Sequence, residues 1–220
     1  MSHVDFISQL HNSTPRNYIQ RVVEHDKAEC AEIACEFGKE YWDGPRHTGY
    51  GGYKYDGRWR SVAEKMTAHY DLQPGARILD VGCGKGFLLH EFTQVIPDAQ
   101  VVGIDISQYS IENAKEEVKP FLQMGHAKQL PFEDDSFDFV VSINTLHNLY
   151  IQDLWSALSE IERVGRDHKH VIIEAYRNER EKVHLMYWQL TCRAFHTPEE
   201  WEWIFDNTGY SGDYSYIAFE

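Results

Sequence analysis

Cations, cysteines and long apolar runs are all scarce in this chain of 220 residues. Its 21 Lys and Arg stand against 35 Asp and Glu, a formal net charge of −14. So acidic a chain lacks the basic face that displaces counterions from phosphate backbones, and no nucleic-acid partner is expected. The four cysteines, Cys30, Cys35, Cys83 and Cys192, show no metal-ligand spacing. They read as small buried thiols of a reducing compartment rather than disulfides, and no metal is assigned. No apolar run approaches the roughly 18 residues that cross a bilayer, and MSHVDFISQL has neither the basic start nor the apolar stretch of a signal peptide. A cytoplasmic chain with no membrane partner is the expectation.

What is present is the composition of a globular protein, with 42% hydrophobic and 25% charged residues at a length suited to one large domain. The chain reads as a single domain over 1–220, with N-terminal helices and a glycine/aromatic segment over 1–72 and a core over 73–220. Charge divides along the same line. Residues 1–72 carry 9 Lys and Arg against 11 Asp and Glu, whereas residues 73–220 carry 12 against 24. Before the core comes GYGGYKYDGRW, residues 49–59, too rich in glycine for a helix and too aromatic for a disordered linker. Around it Arg46, Lys54, Arg58 and Arg60 face only Asp56, a setting that would welcome a small anion.

STPRNYIQRVVEHDKAECAEIACEFG has helical periodicity, with Thr14 able to cap, Pro15 in the first turn, a break expected at Asp26 and a stop at Gly38. RWRSVAEKMTAHY is a second amphipathic stretch. From ARILDVG onward short apolar strands alternate with helices, and this alternation predicts an α/β fold with a mostly parallel sheet and helices on both faces. Ligands of such sheets sit at the carboxyl ends of the strands. SQYSIENAKEEV is expected as a helix capped by Ser107, FLQMGH as a strand, IQDLWSALSEIERV as a helix, and TPEEWEWIFDNTGY as a helix capped by Thr197. The sheet should have six strands, or seven if LMYWQLTCRAF supplies one. The acids at 133–135 read as a solvated turn rather than a metal site.

The strongest chemical signal is ILDVGCGKGF. A buried strand carries Asp80 near its end and runs into Gly82, Gly84 and Gly86, so that a ligand can approach the main chain closely. The next strand closes on Asp105, where a carboxylate suits the two hydroxyls of a ribose. A dinucleotide fingerprint would require glycine at 87, and that residue is Phe87.

This G-x-G-x-G turn resembles the first motif of class I S-adenosylmethionine-dependent methyltransferases of the small-molecule type, a Rossmann-like fold. GHAKQLPFEDDSFDFVVSINTLHNL resembles the same family's third- and fourth-strand region, so the likeness runs from about Pro74 to Tyr210. It implies S-adenosyl-L-methionine as cofactor, with Asp80, Gly82, Cys83, Gly84 and Gly86 around its methionine part, Asp105 and Ile106 at the ribose, His126 and Ala127 at the adenine, and Asn144 ending strand four. His126 replaces the family's usual acid, and a neutral imidazole could accept from the adenine amino group.

The resemblance also implies a cover over the carboxyl edge, for which GYGGYKYDGRW is the candidate, with Arg58 drawn to the cofactor's carboxylate. Packing of the same tyrosines against the N-terminal helices is the plainer alternative. Methyl transfer is an in-line displacement that needs alignment more than covalent help. For a hydroxyl or amine acceptor a base is useful; His147 is the first candidate, with His47 and Tyr53 in reserve. Tyr53, Tyr55, Tyr176, Trp188 and His196 are candidates to line the acceptor side. The Gly/Tyr lead-in and the ending also resemble small methyltransferases of polysaccharide biosynthesis, a hint of a sugar-linked or phosphorylated small-molecule acceptor. A lyase or cyclising use of the cofactor, a non-catalytic nucleoside-binding subunit and a homodimer all stay open.

Overall fold

The computed structural model describes residues 1–13 and 16–220, so the Thr14 cap and first-turn Pro15 lie outside the described residues. The opening region contains α1 (Ser8–Asn12), α2 (Tyr18–Val23), α3 (Lys27–Ala34), α4 (Lys39–Trp42) and α5 (Arg60–His69). The break at Asp26 is real. Its carboxylate accepts from the Ala28 and Glu29 amides at 2.8 and 3.1 Å and caps α3, while Asn17 caps α2 through the Gln20 amide at 3.0 Å. Gly38 does not stop a helix. The left-handed residue is Phe37, with φ 49°, and Gly38 leads into α4. Tertiary bonds offset the strain at Phe37, because its carbonyl accepts from Trp42 Nε1 at 3.1 Å and from Ser107 Oγ at 2.6 Å.

The core runs β1 (Arg77–Val81), α6 (Phe87–Val95), β2 (Gln100–Asp105), α7 (Gln108–Glu112), β3 (Leu122–Met124), β4 (Phe137–Ile143), α8 (Ile151–Val164), β5 (Gly165–Glu174), α9 (Glu179–Trp188), α10 (Pro198–Thr208) and β6 (Asp213–Ile217). The six strands form one sheet in the order β3-β2-β1-β4-β5-β6, and every pairing is parallel. All carboxyl ends therefore share one edge, and the order reverses between β1 and β4, where such sheets open a crevice.

Alternation along the strands divides the core in two. Ile78, Phe139, Val141 and Ile172 face a cluster with Val62, Met66, Leu89 and Phe92 of α5 and α6. Leu79, Val81, Val140, Val171 and Ile173 face the other, with Leu154, Leu158 and Ile161 of α8 and Trp201 and Phe205 of α10. Burial on both faces is why these strands read as unbroken apolar runs, and each large side chain so enclosed contributes about 1.5–3 kcal/mol. The outer edge of β6 is covered by the chain start, where the Val4 amide donates to the Tyr214 carbonyl at 2.8 Å and the Tyr214 amide to the Ser2 carbonyl at 3.0 Å.

Ser107 and Thr197 cap as expected, the latter in a reciprocal capping box with Glu200. Other expectations needed correction. α7 ends at Glu112, short of the sequence-based helix, and the Lys115 amide turns back to the Lys85 carbonyl at 3.1 Å. LMYWQLTCRAF supplies no seventh strand. It begins inside α9, and the Arg193 and Ala194 amides then donate to the His147 carbonyl at 2.8 and 2.9 Å rather than to a sheet edge. Among the described residues no helix is long and apolar enough to cross a membrane.

Candidate functional site

β1 delivers the chain into a turn in which Gly82, Gly84 and Gly86 have φ of 85°, 54° and 71°, values that side chains rarely adopt. Space matters as much as conformation. A Cβ on Gly82 would fall inside the Thr145 side chain, and one on Gly84 would stand 2.9 Å from the Trp42 ring. Asp105 closes β2 beside this turn. Its Oδ2 accepts from the Gly84 amide at 2.7 Å and its Oδ1 from the Ser107 amide at 2.8 Å, so turn and carboxylate hold each other in place. Burial pushes the Asp105 carboxyl up, opposed by those amides. Asp80 is buried with no hydrogen bond to its side chain among the described residues, and burial together with the Asp105 charge raises it to about 8.

Three cavities open along the carboxyl edge. A crevice of about 110 Å³ is lined by Gly82, Asp105, Ile106, Gly125, His126 and Ala127 under Phe37, Tyr41, Trp42 and Tyr50. A smaller one of about 50 Å³ lies between Asp80, Gly82, Cys83 and Gly84 and the rings of Trp42, Tyr53 and Trp59. The third is a chamber of about 670 Å³ bounded by Arg16, Arg21, Arg46, His147, Glu174 and Trp188, among others. Tyr50 and Asn144 line all three. Asn144 follows β4 with φ 56°, and among the described residues its buried Oδ1 has no hydrogen-bond partner, an acceptor-capable atom at the junction.

The glycine/aromatic lead-in lies over the turn. Tyr50 stacks on Trp42 with centroids 5.3 Å apart and planes 7° off parallel, and Tyr53 stacks on Phe87 at 4.9 Å. Lys85, in the glycine turn, fastens it down: buried Nζ reaches the two Asp43 oxygens at 2.7 and 2.6 Å and the Tyr53 carbonyl at 2.9 Å. Tyr109 Oη adds a bond to Asp43 at 2.9 Å.

His147 and Glu174 are both buried in the chamber wall, with His147 Nε2 3.5 Å from Glu174 Oε2. Burial forces each toward its neutral form, the imidazole down to about 3 and the carboxyl up to about 8. Gln189 Nε2 donates to the other Glu174 oxygen. Among the described residues the buried His147 Nδ1 has no hydrogen-bond partner. Glu174 escaped the sequence reading. It closes an apolar strand with an acid, the signal that singled out Asp105.

Not every expected residue comes to the site. His47 stacks on His25 at 3.8 Å, and Tyr55 donates to Glu91 Oε1 at 2.7 Å; neither lines these three cavities. Tyr176 packs on the core under Lys182, and His196 sits against Trp201 and Glu200, both away from the cavities. Arg58 does reach the chamber, but its guanidinium is bound by Asp56, Nε lying 2.7 Å from Oδ2, so its charge is already met two residues away. His126 Nδ1 accepts from the Lys128 amide at 3.2 Å. In the neutral ring the proton is then on Nε2, which lies 3.8 Å from Asp153 Oδ2 and is a donor rather than the expected acceptor. Tyr53 and Trp188 do line the chamber.

The sequence profile of a family described as a methyltransferase domain matches residues 72–209. A demethylmenaquinone methyltransferase of Symbiobacterium thermophilum is 38% identical over 116 residues, 49% of this chain and 45% of that protein. The O-methyltransferase cnsE of Penicillium expansum is 32% identical over 143 residues, 56% of this chain and 51% of that protein. The chain thus spans about half the length of the curated relatives it matches. A SAM-dependent methyltransferase from Aquifex aeolicus shares the fold, with a TM-score of 0.51 at 21% identity over 67% of this chain and 78% of that one.

Proposed function

The chain belongs to the class I S-adenosylmethionine-dependent methyltransferases, and from that premise we propose that it methylates a hydroxyl or amine of a small acceptor held in the large chamber, with His147 as the base. Bound, the cofactor supplies an electrophilic methyl group on a sulfonium sulfur. The residues suit it. The glycine turn leaves the main chain open, Asp105 stands where a ribose would be gripped, and the partnerless Asp80 carboxyl in the small cavity matches the ammonium of an amino acid. His126 offers its Nε2–H to a ring nitrogen of adenine. The lead-in from Tyr50 to Trp59 acts as a cover that excludes water from the sulfonium.

The observation that carries the proposal is the junction at Asn144 and Tyr50. There the crevice that suits a nucleoside and the chamber whose wall holds His147 share lining residues. With Glu174 ionised and accepting from Nε2–H, Nδ1 is free to take the acceptor's proton as the methyl transfers. Distances of this kind often tighten once the acceptor is bound.

Two measurements test it. Asp105→Ala should weaken S-adenosylhomocysteine binding by about 1–3 kcal/mol in calorimetry, the worth of a lost charged hydrogen bond. With a hydroxyl or amine acceptor, His147→Ala should slow turnover by about 10²- to 10⁴-fold while cofactor affinity holds. Equal turnover would remove His147 as the base, and methylthioadenosine as the product would replace methyl transfer with a lyase.

A further inference from the structure

In a chain of net charge −14, one wall of the chamber gathers cations around a single tryptophan. The guanidinium carbons of Arg21, Arg46 and Arg16 lie 4.7, 5.2 and 5.4 Å from the Trp188 ring centroid. Carbonyls, not carboxylates, hold Arg21 and Arg46: Arg21 donates to the Trp188 and Arg46 carbonyls, each at 2.7 Å, and Arg46 to the Tyr50 carbonyl at 2.6 Å. Among the described residues neither arginine forms an ion pair with an acid. Close behind, Lys27 Nζ donates to the Gln189 carbonyl at 2.5 Å.

These like charges oppose one another. Burial and then Arg46 lower Arg21 to about 10, and burial and then Arg21 lower Lys27 to about 8. Of the acids that line the chamber, Asp56 is engaged by Arg58, and Glu174 faces Gln189 and His147. Planar guanidiniums fixed by carbonyls and turned toward a cavity match an oxyanion in geometry as well as charge.

Resting on the methyl-transfer reading above, we propose that the acceptor carries an oxyanion, phosphate or carboxylate, that docks on Arg21 and Arg46 beside Arg16 and Trp188, leaving its nucleophile at His147. Arg21 and Arg46 are thus specificity residues and take no part in the transfer itself.

The test titrates inorganic pyrophosphate and, separately, malonate into protein saturated with S-adenosylhomocysteine. At least one should bind, more weakly as salt rises, and whichever binds identifies phosphate or carboxylate as the group. Arg21→Gln and Arg46→Gln should each weaken that anion at least tenfold with S-adenosylhomocysteine affinity unchanged, and Arg46→Lys should restore part of the loss. Absence of anion binding in the wild type, or equal anion affinity in the variants, overturns the proposal. So does a matching loss of S-adenosylhomocysteine affinity, which would make the cluster the seat of the cofactor's own carboxylate. Failure of the methyl-transfer reading is seen separately, as methylthioadenosine among the products.

Discussion

Glu174 gives a test that needs no knowledge of the acceptor. Its carboxyl ordinarily titrates at 4.5, and burial in the folded protein raises it to about 8. Below the lower value it is protonated in both states and costs nothing. Between the two values the unfolded chain ionises while the folded protein keeps its proton, so stability falls as pH rises and levels off only above about 8. One proton changes stability by about 1.4 kcal/mol per pH unit, which makes about 4–5 kcal/mol from this residue over the whole window. Glu174→Gln removes the titration but keeps the shape, an oxygen for Gln189 and an amide facing His147. Urea unfolding followed by tryptophan fluorescence from pH 5 to 9 should therefore show the variant gaining on the wild type by about 1.4 kcal/mol per unit up to pH 8. Asp80 titrates in both proteins and cancels from the difference. Parallel pH dependences would mean that Glu174 is already ionised at neutral pH, which would refute the burial argument for its raised carboxyl and leave no rise in rate to expect above pH 7. If that argument holds, the wild-type rate should also rise about tenfold between pH 7 and 9, and the variant's should not.

Asp80, raised to about 8, should lose its proton when an ammonium arrives beside it. Binding of S-adenosylhomocysteine at pH 7, measured in buffers of different ionisation enthalpy, should release close to one proton, and Asp80→Asn should release none; a buffer-independent enthalpy in the wild type would contradict the placement. Gly82→Ala combines a φ of 85° with a Cβ inside the Thr145 side chain. It should cost about 1–3 kcal/mol of stability and weaken S-adenosylhomocysteine at least tenfold; retained affinity would show that the turn can move without harm to the site.

Local chemistry was readable in the sequence wherever cause and effect lie a few residues apart. Glycines after a buried strand, an acid ending the next, a break at Asp26 and caps at Ser107 and Thr197 act on their own neighbours, and α8 occupies the residues its periodicity marked. Glu174 carried the same local mark as Asp105, yet its meaning came from His147 and Gln189, which the fold brings beside it. Phe37 shows the converse. No local rule puts a left-handed phenylalanine before a glycine, and bonds from Trp42 and the distant Ser107 decide it. His47 and Tyr55 had suitable side chains but were turned to other partners. The sequence by itself determined the strand order's raw material and the glycine turn, because backbone conformation and apolar periodicity are short-range. Only the tertiary structure decided the chamber, because the charge of Arg21 and Arg46 acquires its meaning from Trp188, more than 140 residues further along the chain.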